Sequence, residues 1–71
     1  MTLCQPNFKR IAQRIRERRR AKNMTQEKLA EHIDVSAKFI CFVETERKNV
    51  SLTSLYKIAE ALETTLDYFV Y

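Results

Sequence analysis

Seventy-one residues with a net charge of +4, 45% hydrophobic content, two cysteines and no glycine make one small domain that can bury a compact core. The longest apolar run, residues 39–43, falls far short of the ~20 residues of a membrane span, and the N-terminal residues lack the basic start and apolar stretch of a signal peptide. The expected compartment is the cytoplasm, with Cys4 and Cys41 as reduced thiols rather than a disulfide framework.

Taken in chain order, residues 1–7 read as a flexible tail containing the only proline, Pro6, and residues 8–71 as the folded domain. Helix one is expected over residues 8–22, with Phe8, Ile11, Ala12 and Ile15 on one face and most of the arginines outward. Eight of the thirteen basic residues fall between Lys9 and Lys22, beside a single acid, Glu17. Such a block attracts polyanions, or else forms a solvated helix face; composition alone does not choose. Thr25 is suited to cap helix two, Gln26–Ile33, which buries Leu29, Ala30 and Ile33. Asp34 and Val35 make a turn. Ser36 then caps a third helix over residues 37–45, with Ile40 and Val43 inward and Phe39 at the margin. A basic-polar loop leads to Ser51, a further serine cap. The fourth helix has the clearest periodicity in the chain: Leu52, Leu55, Ile58, Ala59 and Leu62. Thr64 or Thr65 can cap a last short helix that inserts Leu66 and Phe69. The expected fold class is therefore all-α, five short helices with no strand signal.

Residues 26–36, with a small residue and apolar residues where two crossed helices would touch, carry the pattern of a helix-turn-helix that lays its second helix in the major groove of DNA. The pattern extends through Thr25-Gln26-Glu27-Lys28-Leu29-Ala30, Val35-Ser36, Ile40 and Val43-Glu44. It continues in Ser51-Leu52, Leu55, Ile58-Ala59, Ala61-Leu62 and Leu66-Asp67, with Arg19 in helix one. On these residues the chain, from about Phe8 to Phe69, resembles the phage repressor and Cro type of domain, the xenobiotic-response-element family. That resemblance implies a lambda-repressor-like five-helix fold. It also implies that Gln26 bonds a phosphate, aided by the partial positive charge of its helix N-terminus. Ser36, Ala37, Lys38, Cys41 and Phe42 would face the groove, and Arg47, Lys48 and Asn49 would grip the backbone from the following loop. Arg19 and Glu44 resemble a partly buried structural ion pair.

Chemistry narrows what the groove-facing residues can read. Lys38 can donate to guanine O6 and N7 or neutralise a phosphate, and Ala37 offers only a methyl. Phe42 has two readings: contact with a thymine methyl, or packing onto the loop or a partner. Cys41 reads as a small tolerated helix residue rather than a redox sensor. With few amide or arginine forks available, discrimination is expected to lean partly on DNA shape. The chain departs from the family where relatives commonly have glycine: it carries Asn23, Asp34, Glu46 and Glu63 at helix ends that often need a left-handed backbone. Asn and Asp tolerate that conformation better than Glu, so Glu63→Gly is expected to stabilise the fold.

No enzyme is expected. His32 is the only histidine, no serine or cysteine has an evident histidine–acid arrangement, and the set is too sparse for a zinc site. No cofactor and no metal are implied. The expected function is a homodimeric transcriptional regulator, most often a repressor in such families, whose partner is double-stranded DNA. Leu66, Tyr68, Val70 and Tyr71 are candidates for the dimer interface, and half-sites would lie one helical turn apart, ~34 Å. The chain stops after helix five, which is read as leaving no room for a ligand-sensing domain. The rival reading is a protein-interaction module, such as an antitoxin or anti-repressor, that keeps the fold and exposes Phe39, Phe42, Tyr68, Val70 and Tyr71 to a protein partner. RNA binding has only the arginine-rich helix in its favour, without aromatics beside it to stack bases.

Overall fold

A computed structural model describes residues 8–47 and 50–70; the N-terminal segment expected to be a tail, together with Lys48, Asn49 and Tyr71, lies outside the described residues. Among the described residues five α-helices follow in order: α1 Phe8–Ala21, α2 Gln26–Ile33, α3 Ala37–Glu44, α4 Leu52–Ala61 and α5 Leu66–Val70. Among the described residues there is no strand, so the expected all-α class is the one observed. No helix among them is long and apolar enough to cross a membrane. Helices one and three each end one residue earlier than the sequence suggests, because Lys22 and Thr45 serve as terminal turns rather than helical residues.

Each internal helix starts on a hydroxyl that relieves its orphan amides. Thr25 accepts from the Lys28 amide, Ser36 from the Phe39 amide and Ser51 from the Ser54 amide, at 3.0, 3.1 and 3.1 Å. Thr65 rather than Thr64 plays this part for α5, accepting from the Tyr68 amide at 3.4 Å.

The helix ends share one device. Asn23, Asp34, Glu46 and Glu63 all have left-handed backbones, with φ of 56, 61, 63 and 56°. Behind each, the next residue's amide donates to the carbonyl five positions back. The bonds run from Met24 to Arg19, Val35 to Ala30, Arg47 to Phe42 and Thr64 to Ala59, at 3.1, 3.0, 2.8 and 2.9 Å. This is the hydrogen-bond signature of a helix stop that usually recruits glycine. The chain makes it four times without one.

Ile15, Leu29, Ile40, Ile58, Leu62 and Phe69 are fully enclosed at the centre, with Ile11, Ile33, Val43, Val50 and Leu55 around them. Burying one such side chain contributes roughly 1.5–3 kcal/mol, so every helix is fixed by its own contribution to a common core. Helix α2 packs on α3 and α4, while α1 packs on α3 and α5. One expectation is corrected: Leu52 is 68% exposed, although it heads the apolar repeat of α4. The inward stripe of that helix is Leu55, Ile58 and Ala59, and Leu52 falls on its flank, one turn before Tyr56, which is 57% exposed.

Candidate nucleic-acid interface

The α2–turn–α3 unit is built outward from a buried charge cluster. Arg19 of α1 and Glu44 of α3 are 8% and 3% exposed. The guanidinium meets the carboxylate through two bonds, Nε to Oε2 at 2.7 Å and Nη2 to Oε1 at 3.1 Å. Its Nη1 also donates to the Met24 carbonyl at 2.7 Å, in the connection between α1 and α2. Desolvating two charges is costly, and only a fully bonded geometry such as this offsets it. Three helices are thereby tied together, because Gln26, the first residue of α2, donates its Nε2 to Glu44 Oε1 at 3.2 Å. The side chain expected to meet a phosphate is therefore held in place by the ion pair.

The other sequence-derived residues fall as follows. Ser36 is exposed and its Oγ accepts the Phe39 amide, so one lone pair already serves the helix. Ala37 is half-buried against the core and Lys38 is exposed. Cys41 and Phe42 are half-buried, and Arg47 is exposed at the end of α3. Lys48 and Asn49 lie outside the described residues. On α5, Leu66, Tyr68 and Val70 are half-buried against the core, which leaves only part of each for a partner. Tyr71, the remaining interface candidate, is outside the described residues. Phe39 also packs against the core.

Two features were not anticipated from sequence. Thr45 donates its hydroxyl to the Cys41 carbonyl at 2.8 Å and lies 3.3 Å from that of Phe42, securing the last turn of α3. The second corrects the outward placing of most arginines on α1. Arg14 donates to the Tyr68 carbonyl, with its guanidinium 5.2 Å from the centre of that ring. Arg18 donates to the carbonyls of Leu62 and Glu63 at 3.0 and 3.1 Å. Lys22 pairs with the Glu63 carboxylate. That hydrogen bond and charge from Lys22, with a smaller part from Arg18, hold the Glu63 carboxyl below its ordinary pKa against a slight opposing effect of burial. The four-residue spacing of these three cations beside an apolar stripe was the available signal. They close α1 onto the chain's C-terminal helices instead of facing solvent. Among the described residues, no group of three or more His, Cys, Asp or Glu side chains could hold a metal ion.

Comparison with known proteins matches this geometry. The sequence pattern of helix-turn-helix proteins covers residues 15–69. A transcriptional regulator from the ATPase CF(0) region of Rhodospirillum rubrum is 44% identical over 59 residues, 83% of this chain; the alignment spans 55% of that relative's length. Among solved structures, the restriction-modification controller protein C.AhdI of Aeromonas hydrophila superposes with a TM-score of 0.83 at 34% identity, over 87% of this chain and 94% of that one. The biofilm regulator SinR, solved in complex with DNA, gives a TM-score of 0.81 at 26% identity, over 86% of this chain and 98% of that one.

Proposed function

Because the chain belongs to the helix-turn-helix family of phage-repressor and Cro type, a family of DNA-binding transcription regulators, we propose that it is a sequence-specific regulator of transcription that acts as a repressor. It binds double-stranded DNA as a homodimer, with α3 in the major groove. The observation that carries this reading is the Arg19–Glu44–Gln26 cluster, which fixes the N-terminus of α2 and the outward face of α3 in one rigid unit. In that unit Gln26 takes a phosphate with the help of the helix N-terminus. Lys38 meets a guanine edge or a phosphate, and Phe42 meets a thymine methyl. Ser36, Ala37 and Cys41 line the same face, while Arg47, Lys48 and Asn49 hold the backbone beyond it. Two copies are required because one helix of eight residues offers few base contacts. The partly free surfaces of Leu66, Tyr68 and Val70, continued by Tyr71, supply the joint.

Selection of bound duplexes from a random DNA pool, repeated with Lys38→Ala and Phe42→Ala, tests the proposal. A two-fold symmetric consensus that relaxes in those variants supports it; binding without a consensus refutes sequence-specific recognition. Monomeric sedimentation both free and on DNA refutes the homodimer. Exposure of Leu52 and Tyr56 on α4 favours a second reading, a protein-interaction module. That reading takes over if no duplex binds at low salt.

A further inference from the structure

The basic block of α1 divides by function. Arg14, Arg18 and Lys22 are committed to carbonyls and a carboxylate on one flank of the helix, and Arg19 to Glu44 at the next. The side chains of Lys9, Arg16 and Arg20 form no hydrogen bond or ion pair among the described residues. They stand seven and four residues apart, which at 3.6 residues per turn puts all three on one strip, opposite Arg14, Arg18 and Lys22. The strip borders the flank from which Arg19 reaches α3, since Arg16 lies one turn before Arg19. It therefore opens on the side where Glu44 holds Gln26, the proposed phosphate anchor. The only acid of the helix, Glu17, stands at the edge of the strip, three residues before Arg20, and its carboxylate accepts from Gln13 Nε2 at 3.1 Å. Three cations on one strip, none of them paired with a carboxylate among the described residues, repel one another, and a polyanion removes that repulsion.

We propose that Lys9, Arg16 and Arg20 form a second phosphate-contact surface, which extends the footprint of α2 and α3 along the backbone of the same DNA duplex. The strip runs about 16 Å along the helix axis, long enough for separate contacts. These contacts carry no sequence information; they add affinity and set orientation. The proposal rests on the DNA-binding reading above, and its test separates the two.

Binding of a mixed-sequence duplex several helical turns long is measured across a salt series for the unaltered protein, for the double variant R16A/R20A and for R16K/R20K. Each lost phosphate contact lowers the slope of log affinity against log salt by about 0.9, so the alanine pair should flatten it by about two units per protomer, or nearly four for the proposed homodimer. The lysine pair should keep the slope. Because neither arginine side chain has a hydrogen-bond or ion-pair partner among the described residues, thermal melting of both double variants should stay close to that of the unaltered protein. Lys57→Ala, on the exposed face of α4, removes one charge elsewhere and should leave the slope unchanged. If the unaltered protein binds and the alanine pair keeps its slope, the strip proposal is wrong while the DNA-binding reading stands. An equal loss with Lys57→Ala also overturns it, by reducing the effect to net charge. A loss seen only with an RNA probe assigns the strip to another partner and overturns it too. Failure of the unaltered protein to bind any duplex removes both.

Discussion

Replacing Glu46 by glycine should raise the stability of this protein. Glu46 sits at φ 63°, where the Cβ of an L-residue crowds its own backbone at a cost of roughly 1–2 kcal/mol. Glycine removes that cost but leaves the unfolded chain freer, which returns about 0.4–1 kcal/mol to the unfolded state. The stem of Glu46 also borders a small apolar cleft with Phe8, Ile11 and Val50, so a few tenths of a kcal/mol of packing are lost. The net gain is about 0.5–1 kcal/mol, which for a domain of this size moves the melting midpoint up by about 2–8 °C. The charge is a separate matter, because a carboxylate just past the C-terminus of α3 opposes the helix dipole. Glu46→Ala removes the charge and most of the stem but keeps Cβ and the left-handed strain. Thermal melts of the unaltered protein, Glu46→Ala and Glu46→Gly, followed by far-UV circular dichroism, therefore isolate the backbone contribution. If Glu46→Gly melts no higher than Glu46→Ala, the strain argument fails at this helix stop.

Glu44→Ala should destabilise by about 3–5 kcal/mol, since it leaves the Arg19 guanidinium buried without its partner; a loss below 1 kcal/mol in a denaturant titration would show water reaching the site. Leu55→Ala should cost about 2–5 kcal/mol and Leu52→Ala less than about 0.5 kcal/mol, although both fit the apolar repeat of α4. Equal losses in urea unfolding would contradict the exposure of Leu52. The Glu63 carboxyl, lowered by its bond to Lys22, should titrate below an ordinary glutamate. A depressed acid stabilises the fold above its unfolded pKa, and that contribution disappears as pH falls through the folded value. Carbon-detected NMR titration should give a midpoint below that of an ordinary glutamate, and Lys22→Ala should bring it back up; an unshifted midpoint would exclude the pairing in solution.

The helices were legible because the apolar spacing and hydroxyl caps agree at each start: Thr25, Ser36 and Ser51 all cap where the sequence puts them. The four left-handed stops were legible only through the resemblance, because Glu46 and Glu63 carry no local mark of such a backbone. Periodicity misled at Leu52, since a repeat of three and four residues defines a stripe but not its edges. The arginines of α1 were the hardest to read. A guanidinium at the edge of an apolar face looks the same in sequence whether it ends in water, on a carbonyl or beside a phosphate. Arg14 and Arg18 find carbonyls 54 and 44 residues away, and such pairings have no local signature.

Those distant pairings bear on how the protein is made. During synthesis α1 leaves the ribosome before the helices that follow it, yet its partners just past α4 and in α5 emerge only after more than forty further residues. At roughly 5–20 residues per second, α1 spends seconds with Ile11 and Ile15 uncovered. Until Phe69 closes the core, the helix-turn-helix stands on an open floor. An interrupted chain that stops within α4 carries every groove-facing residue but not the clamp that holds the unit shut, and it is therefore exposed to proteolysis rather than able to compete for DNA.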